Sequence, residues 1–266
     1  MDRAAAPSPE RAQALYGAAQ MARELGQYSE ARDLFLQSLE VAEILGDPAR
    51  IARAYNGLGN TAEYAGDYDA ARSYHERSLQ LSRHIGHQRG VAIDLHNLGI
   101  VLMIQKNFQG AAPLYEESLS IFRAVGDVNG AQATVTNLAT IATEMGRHDA
   151  ACEYFAESFR LAEGLPSQTL TADSLESFAV LAVKMGAADL AARILGTADA
   201  VRKATGYTLS VENRGVVEET ASSVRREVGE DRYAALDAEG RAMSFELAVR
   251  SVRQWLSENR HPKETR

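Results

Sequence analysis

Few side chains in this 266-residue chain stand at spacings that chemistry could use. His84 and His87 lie three apart and could share one helix face, but no acidic partner accompanies them and two ligands do not make a zinc site. Cys152 is the only cysteine, so it can form neither an internal disulfide nor a paired-cysteine metal site. Its place in a predicted helix reads as a buried, inert thiol. Gly57-Leu58-Gly59 also falls inside a predicted helix and is packing rather than a nucleotide loop. No G-x-x-x-x-G-K-[ST] or H-E-x-x-H string occurs. No catalytic residue, no metal and no cofactor is therefore expected. The remaining chemistry is that of binding. Asn97 and Asn137 stand forty residues apart. An amide carries both donors and an acceptor, so it can hold a peptide backbone without reading its side chains. The competing reading is that both asparagines bond locally.

The elements that position these residues recur at the same interval. Gly26-Gln27-Tyr28, Gly66-Asp67-Tyr68, Lys106-Asn107-Phe108, Gly146-Arg147-His148 and Gly186-Ala187-Ala188 align at a period of 40 residues. Ala31, Ala71, Ala111, Ala151 and Ala191 follow in step, then Phe35, His75, Tyr115, Phe155 and Leu195. Each copy reads as two helices, A and B. In the second copy helix A runs from Pro48 to Ala65, Gly66 supplies the left-handed turn, Asp67 caps helix B, and Gly86 closes it. Small residues on helix A (Gly59, Gly99, Ala139, Ala179) admit close approach of helix B. A seven-residue coiled-coil pattern is excluded by Gly and Asx interruptions about every 20 residues. Three positions depart from the pattern: His75 stands where a large apolar side chain is expected, Lys106 replaces a turn glycine, and Pro113 should kink a helix B.

The Leu-Gly pairs of helix A, the Gly-Asx-Tyr turns with their following alanine, and the string Asn97-Leu98-Gly99 resemble the tetratricopeptide repeat, in its longer 40-residue variety. The resemblance implies an all-α fold, a right-handed superhelix of about five helix pairs with a C-terminal helical cap. It also implies that the A helices line a concave groove, one stripe per helix. The stripes are Arg53, Gly57, Asn60 and Tyr64, then Ile93, Asn97, Ile100 and Ile104. Ala133, Asn137, Thr140 and Glu144 follow, and last Asp173, Ser177, Val180 and Lys184. Asn56 and His96 lie alongside. Ile93, Ile100, Ile104 and Met103 form either an apolar floor for a partner or part of the core. The basic clamp with which some repeats of this family hold a C-terminal carboxylate is not expected, since only Arg53, Asn97 and Asn137 fit it.

The period fails after about Thr205. Ser210 is placed to cap a helix to Val228. A short helix then spans Asp231–Glu239 and ends at Gly240, and Ser244 caps a last amphipathic helix through Trp255. The runs 192–198 and 239–248 resemble a segment that closes the C-terminal repeat arm of large bacterial regulators of the LuxR type, next to an ATPase module. That resemblance implies a sensor or interaction arm. The expected organisation is a disordered 1–9 and a repeat array 10–205 (copies 10–47, 48–87, 88–127, 128–167 and 168–205). A cap 206–258 and a polar tail 259–266 complete it.

The charge is −8 overall. Residues 1–196 hold 16 Lys/Arg against 24 Asp/Glu, and residues 197–266 hold 12 of each. Direct nucleic-acid binding needs clustered basic residues, which are missing, so it is not expected. No apolar stretch approaches a membrane span and the start has no signal-peptide core, which points to a cytoplasmic protein. The expected function is a protein- or peptide-binding scaffold of a bacterial signalling or transcription regulator. A small-molecule effector domain is the alternative, as is a module that forms a homodimer through its C-terminal helices.

Overall fold

The structure, a computed structural model, describes residues 6–163, 168–206, 209 and 211–259. The capping role expected of Ser210 and all but the first residue of the C-terminal tail fall outside them. Among the described residues there are thirteen α-helices and no strand. Two compact units divide the chain, Met1–Val125 and Gly126–Arg266.

The first unit is three A/B helix pairs. These are α1 (Pro9–Glu24) with α2 (Tyr28–Leu45), α3 (Pro48–Tyr64) with α4 (Tyr68–His84), and α5 (Gln88–Ile104) with α6 (Phe108–Val125). Ser8 caps α1 and Pro9 opens it, so the helix begins inside the segment assigned from sequence to a tail. Asx side chains close the N-terminal turns: Asp47 Oδ1 accepts from the Ala49 and Arg50 amides, and Asp67 Oδ1 from the Ala70 amide, all at 3.1 Å. The turn position 26/66/106 is left-handed throughout. Lys106 adopts φ 58° there, the only non-glycine residue with positive φ among those described. Helix α6 continues through Pro113.

Within each pair a serine of helix B ties to the first turn of helix A. Ser38, Ser78 and Ser118 approach the carbonyls of Ala12, Ala52 and Ala92 at 2.8–2.9 Å, each 26 residues back. Below this tie lies the aromatic position of helix B. A Cβ built on Gly59 would stand 2.6 Å from His75 Nδ1, and one on Gly99 2.7 Å from Tyr115 Cζ. The glycines are therefore the slots in which these rings lie. Phe35 packs likewise among Ala19, Ala54 and Leu58.

The second unit holds α7 (Val128–Glu144), α8 (His148–Leu161), α9 (Gln168–Lys184) and α10 (Ala188–Thr205), then α11 (Val211–Val228), α12 (Glu230–Ala242) and α13 (Phe245–Asn259). Helix starts at 48, 88, 128 and 168, and at 28, 68, 108, 148 and 188, keep the 40-residue step. The last three helices pack on α8–α10. Val224, Tyr233, Leu236, Val252 and Leu256 join one core with Phe155, Phe159, Phe178 and Leu181. Trp255 meets Phe178 edge-on at 5.4 Å between ring centroids. Ser244 accepts the Leu247 amide at 3.2 Å, as its capping role requires.

Gly240 does not end the short helix, as the sequence suggested; α12 runs through it to Ala242. It is a crossing point. A Cβ on Gly240 would fall inside the radius of the Arg193 carbonyl, and one on Gly196 inside that of the Asp237 carbonyl. Helices α10 and α12 thus touch backbone to backbone, and Thr197 Oγ1 is 2.8 Å from the Gly240 carbonyl. The two runs singled out from the sequence meet at this crossing.

Candidate partner-binding stripe on the A helices

In the second unit, burial leaves the central turns of each A helix one route to solvent. Between residues 131 and 143 of α7 every residue is buried except Ala133, Asn137 and Thr140, and Glu144 beyond them is exposed. In α9, between 171 and 182, only Asp173, Ser177 and Val180 are not buried, with exposed Lys184 beyond. In α5, Ile93, His96, Ile100 and Ile104 are half-buried. The isoleucines are therefore neither fully in the core nor fully open. The 4-3-4 spacing follows from 3.6 residues per turn, since a straight stripe can advance only by threes and fours.

In the second unit, Lys184 Nζ stands 2.8 Å from Glu144 Oε1, bridging adjacent A helices forty residues apart. The Thr140 hydroxyl donates to the Thr136 carbonyl at 3.1 Å. The Asn137 amide makes no hydrogen bond to protein among the described residues and stays half-buried. Beneath, Thr136, Ser158 and Ser174 form a closed triangle of hydroxyls at 2.8–3.2 Å. Behind Asp173, the buried Arg202 pairs with Glu176. Burial pushes the Asp173 carboxyl up to about 6, with the Arg202 charge opposing.

In the first unit the asparagines are knitted together. Asn97 is buried and its Nδ2 donates to Asn60 Oδ1 at 3.0 Å; Asn60 Nδ2 donates to Asn56 Oδ1 at 3.4 Å; Asn56 Nδ2 donates to Asp94 Oδ1 at 2.9 Å. A line of amides thus runs from the stripe to a buried carboxyl. Ser78 and Ser82 close on Asp94 Oδ2 at 2.9 and 3.0 Å. Ser78 has one hydrogen and two acceptors in reach, the Ala52 carbonyl and Asp94. Both contacts become hydrogen bonds only when Asp94 carries a proton and donates to Ser78. Burial pushes Asp94 up to about 6, against the pull of Asn56, Ser78 and Ser82. The serines and Asp94 escape a reading based on stripes alone, although Ser78 recurs with the repeat and Asp94 is a charge among apolar helix positions.

The flanks carry cations on rings. Arg53 is exposed, lies 3.9 Å above the Tyr16 ring and donates from Nη1 to Gln13 Oε1 at 2.9 Å. Tyr64, 53% exposed, stacks on Tyr28 at 6.2 Å beneath Arg23. His96 meets Tyr115 edge-on at 5.3 Å. His96 and His75 are both held near pKa 4 by burial, so both are neutral imidazoles at neutral pH.

The other groups weighed from the sequence lie elsewhere. Cys152 is buried in the core of the second unit. His84 ends α4 and His87 precedes α5. Among the described residues no three metal-ligating side chains converge, and no helix is long and apolar enough to cross a membrane. A surface cavity of about 460 Å³ opens between the α9–α10 and α11–α12 turns, where Arg232 Nε is 3.1 Å from Asp189 Oδ1.

No curated protein matches the chain in sequence. Solved structures share its fold. Aspartyl phosphate phosphatase F from Bacillus subtilis aligns at a TM-score of 0.66 and 13% identity, over 92% of this chain and 60% of its own. The apo form of RapI aligns at 0.62 and 10% identity, over 93% and 96%. BtubC (BKLC) from P. vanneervenii aligns at 0.59 and 20% identity, over 72% and 80%. Tetratricopeptide repeat profiles match residues 11–47, 50–124 and 133–165, more than half of the chain. The matched stretches coincide with helix pairs that start every forty residues, and the chain belongs to the tetratricopeptide repeat family.

Proposed function

We propose that this protein is a scaffold that binds a protein or peptide partner along its A-helix stripes, as the sensor or interaction arm of a bacterial signalling or transcription regulator. One observation carries the reading: the central turns of α7 and α9 reach solvent only through the stripe. On α7 the stripe offers the unengaged Asn137 amide beside Thr140 and Glu144. A half-buried amide without a protein partner on a helix fixed by core on every other side is a preorganised contact for a peptide backbone. The regulator role rests on the likeness of runs 192–198 and 239–248 to the closing segment of such arms. Their meeting at the α10–α12 crossing supports a shared structural task for the two runs.

Asn137→Ala is the clean test, because it removes a contact without opening a hydrogen bond inside the protein. Asn97→Ala also strands Asn60 and serves as the comparison. Immobilised full-length wild type and N137A are compared for partner recovered from a cell lysate. Loss of one amide contact should lower recovery about tenfold, on the order of 1–1.5 kcal/mol. Equal recovery with wild type and with N137A/T140A removes the stripe from the reading.

A further inference from the structure

Two ties between neighbouring A helices join matching stripe positions forty residues apart. Arg53 on α3 donates to Gln13 on α1 at 2.9 Å, and Lys184 on α9 stands 2.8 Å from Glu144 on α7. Asp173, half-buried on the α9 stripe, has no such tie. Its counterpart forty residues back is Ala133, whose side chain has no polar atom to offer. Asp173 Oδ1 is enclosed by the protein and has no hydrogen-bond partner among the described residues. The cation acting on it is Arg202 of α10, which is itself buried and committed to the buried Glu176. With Arg202 set against Glu176, the Asp173 carboxylate is left over as an uncompensated negative charge at the stripe. Burial raises its pKa to about 6, which still leaves it largely ionised at neutral pH.

We infer that the partner held along the α7 and α9 stripes brings a cationic side chain, lysine or arginine, that docks on the Asp173 carboxylate. The inference rests on the stripe reading above and adds the chemistry of one contact to it. A carboxylate half removed from water is poorly solvated before the partner arrives, and an opposite charge supplied on binding offsets that cost. A neutral side chain laid over Asp173 would take away its remaining water and give nothing in return. An anionic one would add repulsion. The site thus selects by penalising the wrong partner as well as by attracting the right one. No other carboxylate on these two stripes competes for the cation. The only charged residue of α7 is Glu144, about three turns beyond the level of Asp173 and already taken by Lys184. A metal ion is the wrong cation for this place, because among the described residues no three metal-ligating side chains converge.

The test uses the full-length chain, immobilised and offered phage-displayed random peptides at neutral pH. Selected binders should share a lysine or arginine at one position. Fluorescence anisotropy then gives the Kd of one such peptide and of its analogue with norleucine at that position. The exchange should weaken binding to the wild type about tenfold and to Asp173→Asn less than about twofold, so that the two changes are not additive. Asparagine has the outline of aspartate, and helical circular dichroism with a thermal melt checks that the variant is folded. The peptide half of the cycle needs no variant at all. Equal losses for wild type and Asp173→Asn overturn the inference. So do binders with no shared cation; the stripe reading then survives if N137A/T140A weakens those binders. Selection of no peptide above background, or of peptides that N137A/T140A binds as well as wild type does, overturns the stripe reading and the inference together.

Discussion

His75→Phe should make the protein more stable, and increasingly so in acid. His75 is fully buried, and neither Nδ1 nor Nε2 has a hydrogen-bond partner among the described residues. A buried donor and acceptor left unmet cost about 1–3 kcal/mol, which an apolar ring of the same outline does not incur. The slot accepts a six-membered ring: the matching position is Phe35 in the first pair and Tyr115 in the third, where Tyr115 lies over Gly99 as His75 lies over Gly59. A gain of about 2 kcal/mol is expected at pH 8. Burial, with a smaller push from His96, holds His75 near 4 against an ordinary 6.5. Between those values the unfolded chain binds a proton that the folded chain refuses, so wild-type stability falls as pH drops from 6.5 to 4. At 1.36 kcal/mol per unit this is at most about 3 kcal/mol. Phenylalanine removes the loss, so the advantage of the variant should widen toward about 5 kcal/mol at pH 4. Urea unfolding followed by helical circular dichroism at pH 8 and pH 4.5 measures both quantities. Hydrogen exchange at α3 and α4 localises the effect, because repeat arrays distribute their stability among neighbours. Equal or lower midpoints for the variant at pH 8, or parallel curves at the two pH values, would refute the argument.

Four further outcomes follow from the same structure. Asp94 titrates in the opposite sense: its folded value near 6 against an ordinary 3.8 means that the stability it adds is complete below about 4 and lost as pH rises through 6. Asp94→Asn should therefore compare better with wild type at pH 7.5 than at pH 4, by about 2–3 kcal/mol, and an unchanged difference in denaturant midpoints would count against it. Lys106→Gly relieves a left-handed residue and should raise stability by about 1 kcal/mol, read as a higher Tm. Gly240→Ala forces α10 and α12 apart and should cost about 2–4 kcal/mol, with limited proteolysis reaching α12 and α13 first; wild-type resistance would contradict the backbone contact. Cys152 should react with a thiol reagent only after unfolding, and fast labelling of the native protein would show that its burial is wrong.

Although α12 and α13 run three and four residues past their expected ends, the repeat length, the limits of the second repeat's helices to within a residue or two, the left-handed turn positions of the repeats and the Asp67 cap were legible in the sequence. Each is decided by backbone sterics or by a side chain two or three residues from the amide it serves, so a local string carries the whole instruction. The solvent-facing positions of α7 and α9 were legible for a related reason, since helical geometry dictates which residues share a face; on α3 and α5 the expected stripe residues Gly57 and Asn97 are instead buried. What those positions do was not. Asn97 is engaged by Asn60, thirty-seven residues away, whereas Asn137 at the matching place is not engaged. Gly240 resembles a helix terminus until α10 is laid across it. Asp94 looks like a stray charge until Ser78, Ser82 and Asn56 surround it. In every such case the partner lies on a different helix. The free energy of a buried amide, carboxyl or glycine depends on what the packed neighbour offers, and only the tertiary structure supplies that neighbour.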